Sequence, residues 1–180
     1  MNVNHKYEMG VVGNCSILAY IDLRADVRWM CLPRFDSSFI FGSLLDREKG
    51  GEFSITPFEK DYQSRQYYIR NTNILVTEFT ISAGAFRVVD FAPRFYQYDR
   101  YFRPPTLFRK IEVVSGNPYI VVRCHPVGEY GKMKPEIVSG NSHIRFLNFS
   151  SHVRLTTDIP LTYILEEKPL ALAETKYLAF

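Results

Sequence analysis

A period-two alternation of apolar and polar residues runs through the middle of this chain, and few folds tolerate it. From Ile74 to Ser82, Leu75, Thr77, Phe79 and Ile81 fall on one face. Ala83-Gly84 then turns the chain, and Phe86, Val88 and Asp90 alternate with Arg87, Val89 and Phe91. Leu107 to Val114 repeats the pattern, with Leu107, Ile111 and Val113 on one side and Lys110 and Glu112 on the other. Ser115-Gly116-Asn117-Pro118 makes the next turn, and Tyr119 to His125 returns. A strand places successive side chains on opposite faces, so such runs read as half-buried strands joined by tight turns.

The flanks agree. Val11 to Ile21, broken at Gly13-Asn14, and Val27 to Leu32 are strand-like runs separated by the polar turn Asp22 to Asp26. Trp29 falls in phase with Val27 and Cys31, which predicts that all three face inward. Ser139-Gly140-Asn141 lies between two more short runs, and Arg154 to Thr157 and Tyr163 to Leu165 read as late strands. One helix is expected, near residues 38–46. There Phe41, Leu44 and Leu45 share a side, Ser37 or Ser38 is available as a cap, and Gly50-Gly51 follow the end. The fold class is therefore all-β, an antiparallel β-sandwich with one short helix.

At 180 residues with 46% hydrophobic content, the chain is long enough for one domain with its own core. The net charge of +3 gives no clustered basic face, and no nucleic-acid partner is expected. Cys15, Cys31 and Cys124 are odd in number and widely spaced, and Met1 to Met9 contains no apolar leader segment. These features point to a reducing, cytoplasmic setting. No apolar run approaches the roughly 18 residues of a membrane span, so no membrane partner is expected.

Chemistry-bearing arrangements are sparse. Asp22 and Asp26 flank a turn, where Asp is favoured for turn formation itself. Asp36 sits in Pro33-Arg34-Phe35-Asp36-Ser37 and has two readings. It is a helix cap or ion-pair partner of Arg34, or else a contact to a neighbouring domain or its substrate. His5, His125, His143 and His152 lack ligand spacing, and no metal or cofactor is expected. Cys124 and His125 are strand neighbours on opposite faces, which argues against a nucleophilic pair. Arg94 to Pro105 is different, with five aromatics and the arginines Arg94, Arg100 and Arg103 in what reads as a loop. That composition suits a domain or subunit interface first, then packing, then stacking on sugar rings.

Several blocks resemble a known family. Gly13-Asn14-Cys15-Ser16 with Ala19-Tyr20-Ile21-Asp22 resembles the opening of bacterial and archaeal family 15 glycoside hydrolases. Trp29-Met30-Cys31-Leu32-Pro33-Arg34-Phe35-Asp36-Ser37 is similar to that family's Trp-Leu-Cys-x-Pro-Arg-Phe-Asp-Ser. Phe41 to Asp46, Gly50 to Pro57, Tyr68 to Leu75, Val88 to Arg94 and Arg109 to Gly116 follow in order, over roughly residues 10–165. Ser38-Phe39-Ile40 departs mildly, standing where relatives often have Pro-Ser-Val. The resemblance is to the N-terminal β-sandwich (super-sandwich) domain of glucoamylase and trehalase-like proteins.

It implies a parent enzyme that hydrolyses α-glucosidic bonds with inversion. Its acid and base would lie about 6.5–9.5 Å apart, in an (α/α)6 barrel that follows this domain. No catalytic residue is thus expected within the chain, and the strand-like run Glu174 to Phe180 is read as a truncation. Candidate contacts to substrate or to the barrel are Arg34, Phe35, Asp36, Tyr98, Arg100 and Phe102. The expected partner is the C-terminal catalytic barrel of the same polypeptide. Contact with α-glucan or trehalose, and self-association through an exposed interface, are further expectations. The other reading is a stand-alone carbohydrate-binding or scaffold module.

Overall fold

The computed structural model describes residues 7–180. In chain order its strands are β1 (Met9–Gly13), β2 (Leu18–Asp22), β3 (Val27–Cys31), β4 (Phe39–Phe41), β5 (Glu52–Pro57), β6 (Gln63–Tyr68), β7 (Leu75–Ile81), β8 (Gly84–Phe91), β9 (Phe95–Gln97) and β10 (Arg100–Phe102). They continue as β11 (Phe108–Gly116), β12 (Tyr119–His125), β13 (Ile137–Ser139), β14 (His143–Phe146), β15 (Val153–Thr157), β16 (Leu170–Ala171) and β17 (Lys176–Ala179). One short helix, α1 (Leu161–Leu165), lies between β15 and β16.

The largest sheet has eight strands in the order β13-β14-β15-β17-β11-β8-β7-β6, paired antiparallel. Facing it are the meander β1-β2-β3-β4 and the smaller sheet β16-β12-β5. A backbone bridge from Asp26 to Ser54 joins these two sheets at the end of β3. The antiparallel β-sandwich read from the alternation is the observed architecture.

Alternation sets the faces as expected where the turns are tight. Thr77, Phe79, Phe86, Val88 and Asp90 are fully buried. Gly84 (φ 142°) and Gly116 (φ 68°) turn neighbouring strand ends at the same edge. A Cβ on either would come within 2.1 Å of a carbonyl oxygen of the other turn. Only glycine allows that approach. At the centre, Phe180 packs its ring against Phe41, Phe53 and Phe146, with centroids 5.0, 5.5 and 6.1 Å away.

Arg109 on β11 links the two layers. Its side chain is fully buried and donates to Asp90 on β8 (Nε to Oδ1, 2.8 Å), to the Phe53 carbonyl (2.7 Å) and to the Ala25 carbonyl (2.5 Å). The guanidinium also lies over the Phe53 ring, 4.6 Å from its centroid. Burial drives the Asp90 carboxyl upward, and the arginine opposes that shift. Removing either partner would strand a charge in the core.

Three local expectations are corrected. Residues 38–46 form no helix. Phe39, Ile40 and Phe41 are all buried in β4, and a turn closed by Gly42 N–H to the Gly50 carbonyl (2.7 Å) follows. The spacing of Phe41, Leu44 and Leu45 straddles a strand end and a turn, and short apolar runs do not separate helix from buried strand. The helix instead includes Tyr163–Leu165, which the pattern assigned to a strand; Pro160 at its start presets a compatible φ of −56°. Trp29 does not face inward with Val27. Tyr20 pairs with Trp29 but Ile21 pairs with Val27, so a bulge at Arg28 shifts the alternation. Val27 and Met30 enter the main core. Trp29 packs half-buried in a satellite cluster with Cys31, Phe39 and Val127.

Candidate functional site

The segment read as a loop at 94–105 contains a hairpin. β9 and β10 pair only with each other, matching Phe95 with Phe102, Tyr96 with Tyr101 and Gln97 with Arg100. Tyr98 (φ 50°) and Asp99 (φ 56°) form the two-residue turn, with both dihedrals positive as a type I′ hairpin requires. The Tyr96 hydroxyl donates to Asp99 Oδ1 at 3.1 Å and steadies that turn. Phe95 and Phe102 stack at 5.4 Å and 13°. Tyr96 and Tyr101 meet at 5.0 Å, and the Arg94 guanidinium lies 5.2 Å from the Tyr101 centroid. Every residue from 94 to 103 is exposed, with Tyr98 at 81%. The hairpin is thus an arm with both faces in solvent. Two strands alone are marginal in water, so the arm depends on its foot.

Asn14 makes that foot. It is only 2% exposed, and its Nδ2 donates to the carbonyls of Pro93 (2.9 Å) and Pro104 (2.8 Å), the residues bracketing the arm. Its Oδ1 accepts from the N–H groups of Ser16 (2.9 Å) and Ile17 (3.1 Å) in the β1–β2 turn. One fully used amide clamps both ends of the arm to the first hairpin. Arg94 Nη1 adds a contact to Cys15 Sγ at 3.5 Å.

The other sequence-selected residues form a second exposed loop. Arg34 and Asp36 make a two-pronged ion pair at 3.0 and 3.2 Å, with both side chains more than two-thirds exposed. Between them Phe35 is 55% exposed. The two loops approach through their bases. Leu32 on one side and Pro105 and Thr106 on the other line one cavity of about 260 Å³ with Ala179 and Phe180. Within the arm, Phe102 meets Phe95, while Tyr98 and Arg100 flank Asp99 at the tip.

Asp22 and Asp26, the carboxylates that flank the β2–β3 turn, are engaged locally. Asp22 Oδ1 accepts from the backbone N–H of Arg24 and Asp26 and so builds the turn. Burial and then the neighbouring Asp22 push the Asp26 carboxyl up, against the Arg28 guanidinium bound to it at 3.2 Å. Cys124 is buried, and desolvation raises its thiol far above the ordinary range. His125 points outward and meets Glu167 at 2.9 Å. Among the described residues no group of three His, Cys, Asp or Glu is placed to hold a metal; His5 lies outside the described residues.

Asn14, Asp90 and Arg109 are the positioning residues that sequence reasoning passed over. For the last two a signal exists. Asp90 is in phase with Phe86 and Val88, and Arg109 with Leu107 and Ile111. An acid and a base at core positions of two strands imply a buried pair. No local pattern marks Asn14, because its partners lie 79 and 90 residues away.

Comparison with known proteins bears on these same segments. The family described as "Trehalase-like, N-terminal" matches residues 5–161. A trehalase of Thermoplasma volcanium is 32% identical over 154 residues, covering 84% of this chain and 24% of the relative. Trehalase 1 of Sulfolobus acidocaldarius is also 32% identical over 154 residues, covering 84% of this chain and 25% of the relative. A trehalase of Mycolicibacterium smegmatis is 27% identical over 139 residues, covering 70% of this chain and 21% of the relative. The chain spans about a quarter of the length of the first two relatives. No solved structure gives a significant match.

Proposed function

The chain belongs to the trehalase-like N-terminal family, and from that premise we propose that it is a non-catalytic accessory domain bracing the catalytic region of an α-glucoside-hydrolysing, trehalase-type protein. One observation carries the reading: an aromatic arm, exposed on both faces, is held in place by the buried Asn14. Exposed apolar surface on a rigid support marks an interaction site. Five arm aromatics at these exposures offer roughly 600 Å², within the usual range of about 600–1,500 Å² for inter-domain contacts. Tyr98, Arg100 and Phe102 on the arm, with Arg34, Phe35 and Asp36 beside its foot, form the docking face for an (α/α)6 barrel. Three cysteines, odd in number and widely spaced in the sequence, suit a reducing, cytoplasmic compartment.

The chain by itself is then expected to release no glucose from trehalose, maltose or starch. With its docking face open, it self-associates reversibly in sedimentation at increasing concentration. Tyr98→Ser with Phe102→Ser abolishes that association and leaves the melting temperature nearly unchanged. A monomeric parent chain, or a double variant that unfolds, would sink the docking role of the arm.

A further inference from the structure

The large sheet runs one strand beyond what covers it. Ile137 on β13 pairs with Phe146 on β14, which pairs with Val153 on β15. Direct cross-strand partners share a face, so all three belong to the inner face of the sandwich. Phe146 and Val153 are 2% and 6% exposed, whereas Ile137 is 48% exposed. The facing layer therefore stops short of β13. At this open end lies a cavity of about 550 Å³. The large sheet lines it with Ile137 and Phe146, and the segment after β12 lines it with the buried Pro126 and Val127.

The charged groups here are few and mostly positive. Lys49 and Lys134 stand exposed at the rim, and neither ammonium group is held in an ion pair among the described residues. Glu48 is the one carboxylate in the lining. Asp46, whose charge Lys49 feels, spends its Oδ1 on the N–H groups of Glu48 and Lys49. His125 is committed to Glu167 at 2.9 Å, and the other oxygen of that carboxylate accepts from Arg123 Nε at 2.7 Å. A cation would meet two free ammonium groups for one carboxylate. A polyhydroxyl ligand would set hydroxyl groups against Ile137, Phe146 and Val127, where they find no partner. An apolar body with an anionic head satisfies both parts of the site. The volume lies inside the usual range of about 300–1,000 Å³ for small-molecule sites, which are mostly apolar with a few placed charges.

We infer that this cleft binds a small amphipathic carboxylate, with its apolar body against Ile137 and Phe146 and its acid group at Lys49 and Lys134. The cleft and the arm share no lining residue, so this reading and the docking role of the arm fail separately.

The test is titration of the chain with naphthoate, followed by calorimetry and by the methyl NMR signals of Ile137. Neutral naphthamide supplies the apolar body alone, and acetate the acid group alone. Saturable binding of naphthoate that shifts the Ile137 signals is expected, with naphthamide weaker by about tenfold, the worth of one charge-assisted hydrogen bond. Lys49→Gln with Lys134→Gln, both on the exposed rim, should bring naphthoate down to the level of naphthamide and leave naphthamide unchanged. Ile137→Ser should weaken both, and acetate should not saturate. A folded lysine double variant that binds naphthoate as well as the parent overturns the assignment. So does a parent chain that binds no naphthoate, or one that binds naphthamide equally well. Binding that disappears in Tyr98→Ser with Phe102→Ser would put the ligand on the arm and overturn it too.

Discussion

Two successive hairpins each carry a cross-strand phenylalanine pair. On β7–β8, Phe79 faces Phe86 in register, with centroids 4.9 Å apart and planes 20° apart. On β9–β10, Phe95 faces Phe102 at 5.4 Å and 13°. The local geometry is nearly the same. The first pair is fully buried between two layers, whereas Phe95 and Phe102 are 45% and 37% exposed. A cross-strand pair contributes roughly 0.2–1 kcal/mol by itself. Burying the whole side chain in a packed core contributes several times that. The same residues in the same motif are therefore structural in one place and free for partners in the other.

The comparison is sharpest where burial isolates a charge. Arg109→Met should cost about 3–5 kcal/mol in urea unfolding, because Asp90 loses its buried partner. Adding Asp90→Asn should return part of that loss, with the Phe53 and Ala25 carbonyls still lacking their donor. A single variant within 1 kcal/mol of the parent, a threshold far below ~3, would show that water reaches this pair.

The phenylalanines themselves come next. Phe86→Ala should cost about 3–5 kcal/mol, while Phe102→Ala should cost less than about 1. Equal losses on denaturant titration would mean that the arm is part of the domain's core, and the contrast would collapse.

Asn14→Ala tests the link between the regions, since the foot is buried while the arm is not. Loss of its four hydrogen bonds should cost about 1–3 kcal/mol. The arm should also become the first site of proteolytic cleavage and of fast amide exchange. Unchanged protection between Phe95 and Phe102 would show that the arm holds itself.

The smallest effect concerns pH. Burial and Asp22 raise the Asp26 carboxyl above its ordinary value of 3.8. Below that value the group is protonated in the folded and unfolded chain alike. As pH rises, the unfolded chain releases its proton first, so stability falls until the folded group ionises as well. Asp26→Asn escapes this loss. Its melting temperature should therefore gain on the parent's as pH rises from 3.8 towards neutrality. An offset constant with pH would mean that Asp26 ionises normally.

Much of this was legible in the residues. The alternation of Leu75 to Ile81 and Phe86 to Asp90 predicts strands, faces and turn together, because a period of two has one structural meaning. The aromatic and arginine content of Arg94 to Pro105 marks an unusual surface, and its arrangement as a hairpin was hidden. Tyr98 and Asp99 are not the Asn-Gly pair that announces a type I′ turn, and the strands are three residues each. Trp29 was misplaced for a similar reason. A bulge at Arg28 breaks the phase on which the inward reading depended, and nothing in Val27 to Cys31 reports it.

By itself, then, the sequence determined the β class, most strand faces, the family and the residues worth watching. The β class and most strand faces follow from interactions between near neighbours, which composition and spacing record, and the family from ordered blocks such as Trp29 to Ser37 that resemble its own. Only the tertiary structure decided that β17 enters the middle of the large sheet, that Arg109 reaches Asp90 and two carbonyls of the facing layer, and that Asn14 holds both ends of the arm. Those contacts join residues 19 to 90 positions apart. Their free energy depends on what excludes water from the meeting point, and no local pattern carries that information.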